Sequence, residues 1–128
     1  MNKQKTIHVL LVEDDEFLAN IYKTKFEMEG FKISVSTNGE EGLKDAKKKK
    51  PDIILLDILL PKADGYAVLK GLREDPATKE VPVIILTNLG QKDDVDKGLD
   101  LGAVDYLIKA HFKPSEVVEK VKKVLKLE

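Results

Sequence analysis

Five short, almost continuously apolar segments recur at regular intervals along this chain, and they constrain its fold more than any other feature. Three of them are nearly unbroken runs of leucine and β-branched residues. Such runs are typical of parallel strands buried on both faces, because alternation of apolar and polar residues appears only where one face meets water. The predicted strands are residues 7–12, 31–36, 52–56, 81–87 and 104–108.

Segments with helical periodicity lie between and after these strands. The clearest is the last, where Pro114 suits the first helical position and an apolar stripe follows it. Asn38 can cap the second helix, Gly65 begins the third, and residues 91–100 form the fourth. Because the strands are apolar on both sides, these helices must cover both faces of the sheet.

Five strand-plus-helix units with short connections predict an α/β fold. Right-handed crossovers favour a doubly wound, five-stranded parallel sheet in the flavodoxin-like order 2-1-3-4-5, with helices on both faces. A chain of 128 residues, 42% of them apolar, can bury one sizeable core but is too short for two ordinary domains. We therefore predict a single domain over residues 1–128.

Composition excludes several classes of protein. No stretch approaches the roughly 20 apolar residues of a membrane span, and the absence of cysteine suits the reducing cytoplasm. Lysine and arginine total 22 against 23 acids, so no global field attracts nucleic acid or anionic lipid. We expect a cytoplasmic protein with no membrane and no direct nucleic-acid partner, so that any DNA-binding role would need another domain.

Polar residues follow four of the strands at their carboxyl ends, where ligands bind in such sheets. Glu13 and Asp14 follow the first strand, Asp57 the third and Lys109 the fifth, while Thr87 ends the fourth. Three ionised acids close together would repel one another, so the cluster requires a cation or the uptake of a proton. Mg²⁺ suits an all-oxygen site that also takes a phosphoryl oxygen, and a carboxylate can then act as nucleophile.

The segments VLLVEDD, LLDILLPKADG, LTN and YLIKAHF resemble the receiver domains of two-component response regulators over about residues 7–127. The resemblance implies a phosphorylation-activated signalling switch in which Asp57 accepts a phosphoryl group from a phosphohistidine. It implies that Asp14 binds Mg²⁺ directly, that Glu13 binds it mostly through water, and that Asp57 and the backbone carbonyl of Leu59 complete the protein ligands.

The resemblance extends to the switch and its partners. It implies that Thr87 hydrogen-bonds a phosphoryl oxygen, that Lys109 pairs with the phosphoryl charge, and that Tyr106 turns inward as the switch residue. The domain would catalyse only its own phosphorylation and dephosphorylation, so it is not a turnover enzyme. Its partner would be a histidine kinase or histidine phosphotransfer domain docking near Phe17 and Leu18, and phosphorylation could drive homodimer formation.

Some positions depart from the family pattern. Glu13 stands where aspartate is more usual, and Ala110 follows Lys109 where the family usually has proline, often after a cis peptide bond. Our hypothesis is that the cis bond persists because the site over-determines it. Leu59 and Leu89 are apolar at two positions that tune hydrolysis of the acyl phosphate in the family. They predict slow self-dephosphorylation.

Three other functions compete with this interpretation. A pseudo-receiver would keep the fold without the chemistry, but Asp14, Asp57, Thr87 and Lys109 are all present. A hydrolase of the haloacid-dehalogenase type would need a second aspartate at position 59, where leucine stands. A flavodoxin-like nucleotide or flavin binder would need a phosphate loop rich in glycine or hydroxyl groups after the first strand, where this chain has acids.

Overall fold

The computed structural model describes residues 6–127 and contains a parallel sheet in the strand order β2-β1-β3-β4-β5. Five helices alternate with the strands, and a short 3₁₀ turn at Lys109–His111 follows the last strand. The elements are β1 (His8–Val12), α1 (Glu16–Met28), β2 (Lys32–Ser36), α2 (Gly39–Lys49), β3 (Ile53–Leu56), α3 (Gly65–Glu74), β4 (Val83–Thr87), α4 (Lys92–Asp100), β5 (Asp105–Ile108) and α5 (Pro114–Val124).

The core lies in two layers, one on each face of the sheet. Alternate residues of each central strand enter opposite layers: in β1, Val9 and Leu11 join the layer of α1 and α5, while Leu10 and Val12 join the layer of α2 and α3. All residues of β3 and β4 are buried. The strands with nearly continuous apolar runs are therefore buried on both faces, as the sequence predicts.

The predicted fold is confirmed in order and in element positions. Each observed strand lies within its predicted segment, and the differences are of one or two residues at the ends. Asn38 caps α2 by accepting a hydrogen bond from the Glu41 amide at 2.9 Å, and Pro114 is the first residue of α5. Of the predicted domain, residues 1–5 and 128 lie outside the described part. Within residues 6–127, no helix is long and apolar enough to cross a membrane.

Strand register sets the geometry of the candidate site. Val12 pairs with Leu56, and Thr87 pairs with Ile108, so β1 and β3 end side by side, as do β4 and β5. The Asp57 amide donates a hydrogen bond to the Val12 carbonyl at 3.1 Å, which fixes the first residue after β3 against the end of β1. The polar residues that follow these strands therefore meet at one edge of the sheet.

The start of α3 lies directly against the backbone that follows β3. A Cβ atom at Gly65 would lie 2.5 Å from the carbonyl oxygen of Asp57 and would also overlap the Cα of Ile58. The Gly65 amide donates to the Ile58 carbonyl at 3.1 Å. Position 65 therefore requires glycine because of this close approach of two backbone segments.

We predict that Gly65→Ala lowers the free energy of unfolding by about 1–3 kcal/mol, since the added methyl group overlaps backbone atoms that cannot move aside. Urea denaturation measures the change. Gly71→Ala in the same helix is the matched control, because its Cβ would meet only the flexible end of Leu43. Alanine is the better helix former by about 1 kcal/mol, so this control should stay within that range of the wild type. Equal stability of the two variants would contradict the close approach.

Candidate functional site

Five polar residues that the sequence predicts at the strand ends lie at one edge of the sheet. Glu13 and Asp57 are buried, with 1% and 4% of their surface exposed, and Thr87 is fully buried. Asp14 is exposed at the rim, and the Lys109 side chain is largely buried. The carboxylates of Glu13 and Asp57 and the Lys109 ammonium group are thus largely shielded from water, next to the solvent-exposed Asp14.

The Lys109 ammonium group is shared between two buried carboxylates. Its Nζ lies 2.6 Å from Oδ2 of Asp57 and also forms an ion pair with Oε1 of Glu13. Burial raises the pKa of Glu13, although Lys109 opposes the rise. Burial alone would lower the pKa of Lys109, but hydrogen bonds and charges from Asp57 and Glu13 outweigh it, so that pKa is raised. The ammonium group therefore stays charged at neutral pH.

Backbone amides hold the second oxygen of each buried carboxylate. Oδ1 of Asp57 accepts from the Leu59 amide at 3.0 Å, and Oε2 of Glu13 accepts from the Asp15 amide at 3.0 Å. Asp15 itself caps α1 by accepting from the Leu18 amide at 3.1 Å. Within the run of acids after β1, Asp15 therefore serves the helix, while Glu13 and Asp14 face the site.

Three carboxylates form a candidate cation site. One carboxylate oxygen from each of Glu13, Asp14 and Asp57 can be chosen so that the three atoms lie within 4.8 Å of one another. With all groups ionised, three carboxylates and the Lys109 ammonium group carry a formal charge of −3 + 1 = −2, which one divalent cation neutralises. The buried Oε1 of Glu13 accepts no well-directed hydrogen bond from the described residues. An all-oxygen donor set with this charge fits Mg²⁺.

Asn88 is a residue to which the sequence analysis assigned no role. Its Oδ1 accepts a hydrogen bond from the Ala110 amide at 3.1 Å, so it joins the segment after β4 to the segment after β5.

Among the described residues there is no cis peptide bond, so the hypothesis of a cis bond between Lys109 and Ala110 is wrong. The physical reason has two parts. Alanine keeps an amide proton, which bonds to Asn88. The Lys109 side chain contacts Asp57 while the peptide bond is trans, so the cost of a cis bond, about 3–4 kcal/mol, is avoided.

Tyr106 and Thr87 both contact the segment that connects β4 to α4. The Tyr106 hydroxyl donates to the Leu89 carbonyl, and Oγ1 of Thr87 accepts from the Leu89 amide at 3.4 Å. Burial raises the pKa of Tyr106, so its hydroxyl stays protonated and able to donate. One residue, Leu89, thus links the end of β4 to the aromatic side chain on β5.

The site geometry bears on two of the competing functions. The segment after β1 presents buried and exposed carboxylates, which would repel a nucleotide or flavin phosphate. Leu59, with 55% of its surface exposed, occupies the position where a haloacid-dehalogenase-type hydrolase needs an acid. The arrangement favours a carboxylate nucleophile paired with a lysine and a divalent cation.

Comparison with known proteins gives consistent matches. The family model for the response regulator receiver domain matches residues 9–122. The transcriptional regulatory protein PhoP of Bacillus subtilis is 39% identical over 98% of this chain and 50% of its own length. The regulator RpaA of Synechocystis is 37% identical over 92% of this chain and 48% of its own length. This chain therefore spans about half the length of the relatives that it matches.

Solved structures match over nearly the whole chain. The receiver domain of the Francisella response regulator 1452 has a TM-score of 0.87 and 35% identity, covering 94% of this chain and 98% of its own. The receiver domain of the sensor histidine kinase PA1611 from Pseudomonas aeruginosa has a TM-score of 0.84 and 28% identity, covering 93% and 97%. The latter structure contains a magnesium ion coordinated in its active-site cleft.

The relatives correct the expected partners. RpaA is a DNA-binding transcriptional regulator and PhoP a transcriptional regulatory protein, so the expectation that nucleic acid is not a partner is wrong. That expectation rested on the near-zero net charge of this chain. The charge of one region carries no information about a region outside it, and this chain spans only half of each relative.

We predict that Lys109→Met lowers the free energy of unfolding by about 3 kcal/mol in metal-free buffer, because two buried carboxylates lose their shared cation. Urea denaturation in the presence of a chelator measures the loss. Lys122→Met is the matched control, since Lys122 pairs with Glu29 in a more exposed place. Such a pair contributes about 0–1 kcal/mol, so equal losses for the two variants would show that the shared ion pair is not stabilising.

Proposed function

This chain belongs to the family of response regulator receiver domains, and we propose that Asp57 is the residue through which it acts as a phosphoryl-accepting switch. The observation that carries this proposal is the buried Asp57 carboxylate, held between the Lys109 ammonium group and the Leu59 amide beside two further acids. An Asp57 oxygen attacks the phosphorus of a phosphohistidine. A P–O bond forms, the P–N bond breaks, and the leaving imidazole takes up a proton.

Phosphoryl transfer to Asp57 redistributes charge within the site. The carboxylate becomes a neutral acyl group, while the phosphoryl oxygens carry the negative charge, so the Lys109 ammonium group turns to the phosphoryl oxygens. The Thr87 hydroxyl at the neighbouring strand end donates a hydrogen bond to a phosphoryl oxygen. Thr87 ends β4, Lys109 follows β5 and Asp57 follows β3, so the sheet brings the three groups to one edge before the reaction begins.

The acidic cluster would hold Mg²⁺. Asp14 and Asp57 would bind it directly, Glu13 through water, and the Leu59 carbonyl would complete the protein ligands. When bound, the ion neutralises charge on the phosphoryl oxygens as the P–O bond forms. The extra methylene of Glu13 is tolerated because an intervening water can adjust its position.

The domain catalyses its own phosphorylation and its own dephosphorylation, and it signals through a change in surface. Tyr106 is the proposed switch residue, because movement of Thr87 towards a phosphoryl group alters the Leu89 segment to which the Tyr106 hydroxyl is bonded. The resulting change reaches the face formed by α4 and β5. In a longer protein of the PhoP or RpaA kind, that face would control gene regulation. The domain would act in the cytoplasm, whose reducing conditions suit a chain without cysteine.

We predict that incubation of the protein with acetyl phosphate and Mg²⁺ adds one phosphoryl group, detected by intact-mass spectrometry. Asp57→Asn removes the nucleophile and should give no adduct, and Asp14→Asn should slow the reaction because a cation ligand is lost. Asp96→Asn removes an exposed acid on α4 that pairs with Lys92, so it serves as the control and should react like the wild type. An adduct that persists in Asp57→Asn would refute the assignment.

We predict slow loss of the phosphoryl group from Asp57, because two apolar side chains, Leu59 and Leu89, line one groove together with Ile58, the residue that follows Asp57. The double variant Leu59→Asn with Leu89→Glu places polar groups there that can orient water, and decay should accelerate about tenfold or more. Met28→Glu, an exposed substitution at the far end of α1, is the control. Loss of the phosphoryl group is followed by intact-mass spectrometry after removal of the donor. An unchanged rate in the double variant would show that Leu59 and Leu89 do not exclude water from the phosphoryl group.

A further inference from the structure

Two tyrosine hydroxyls, one on α3 and one on β5, donate to backbone carbonyls of α4 and of the segment before it, outside the cluster around Asp57. Tyr66, the second residue of α3, is buried and donates its hydroxyl proton to the Asp94 carbonyl at 2.9 Å. The Tyr106 hydroxyl donates to the Leu89 carbonyl. Each hydroxyl therefore joins two segments of the chain: Tyr66 joins α3 to α4, and Tyr106 joins β5 to the segment between β4 and α4.

Helix α4 depends on tertiary contacts for its position. It has nine residues, and Gly98 is the one residue that it buries. A helix of this length is marginal by itself. Tyr66 holds its first turn through the Asp94 carbonyl, and the Lys97 ammonium group lies 4.4 Å from the centre of the Tyr66 ring. A Cβ atom at Gly98 would lie 2.5 Å from the end of the Ile85 side chain and 2.9 Å from the Tyr106 ring, so both side chains pack directly against α4.

The other end of Tyr66 is fixed to the phosphoacceptor segment. Tyr66 follows Gly65, whose Cα has no room for a side chain because the Asp57 carbonyl lies against it. The carboxylate of Asp64 also accepts from the Tyr66 amide at 2.9 Å. A displacement of the segment after β3 must therefore move the Tyr66 backbone, and its hydroxyl carries that displacement to α4.

We propose that Tyr66 is a positioning residue whose hydroxyl couples the Asp57 segment to the first turn of α4. This coupling rests on the proposed function of Asp57 as phosphoacceptor, and it adds a route through α3 to the one through Thr87. When the phosphoryl group arrives, displacement of the segment after β3 moves Tyr66, and its hydroxyl passes the displacement to the Asp94 carbonyl in the first turn of α4. One end of this route is the close backbone approach at Gly65, and the other is a part-buried hydrogen bond.

The first test uses Tyr66→Phe, which removes one oxygen and keeps the ring under Lys97. Amide hydrogen exchange followed by mass spectrometry should be at least tenfold faster in residues 92–100 than in the wild type, with little change in the sheet. Thr78→Val is the matched control, because it removes a buried hydroxyl that donates to the Leu72 carbonyl at 2.7 Å beyond the other end of α3. Exchange in α4 that matches the wild type, or that rises equally in both variants, overturns the proposal.

The second test adds beryllofluoride and Mg²⁺, which form an acyl-phosphate-like adduct on a carboxylate, with uptake measured by ¹⁹F nuclear magnetic resonance. The wild type and Thr78→Val should change their exchange in residues 92–100 on uptake, and Tyr66→Phe should take up the adduct with at most a third of that change. An equal response in Tyr66→Phe overturns the coupling. No uptake by the wild type contradicts the proposed role of Asp57, while the first test still decides whether Tyr66 holds α4.

Discussion

The structure depends most on one lysine ammonium group shared by two buried carboxylates. Glu13 and Asp57 leave water when the sheet forms, and each would be costly to bury without Lys109 between them. The three residues follow three different strands, β1, β3 and β5, so the pair of ionic contacts requires the whole strand order to be in place. The chemistry of the site and the topology of the sheet are therefore stabilised by the same contacts.

This arrangement leaves the site electrostatically incomplete. One ammonium group cannot neutralise three carboxylates, and the remaining negative charge is what a divalent cation binds. In the proposed function, phosphoryl transfer to Asp57 would change the partner of Lys109, because the negative charge would move from the carboxylate to the phosphoryl oxygens. A buried ion pair that has alternative partners is suited to a switch, since each state keeps its charges paired.

The strands beside the site and the helix α4 differ in how much of their surface is buried. This difference bears on how a change at Asp57 could alter the surface of the domain. The strands β3 and β4 are wholly buried, whereas α4 buries one glycine, accepts a hydrogen bond from the Tyr66 hydroxyl at its Asp94 carbonyl, and packs against the Ile85 and Tyr106 side chains at Gly98. Elements with few buried apolar contacts open at the lowest free-energy cost. Through the proposed Tyr66 contact, a small displacement at Asp57 would therefore act on an element with few buried apolar residues.

The sequence by itself determined the strands, their burial on both faces, the strand order and the polar residues at the strand ends, because these follow from local periodicity and from the geometry of parallel sheets. It did not determine the trans bond before Ala110, the Asn88 contact or the hydrogen bond from the Tyr66 hydroxyl to the Asp94 carbonyl. Those depend on how loops and helix starts approach one another across distant parts of the chain. Periodicity carries no record of such approaches, so only the tertiary structure decided them.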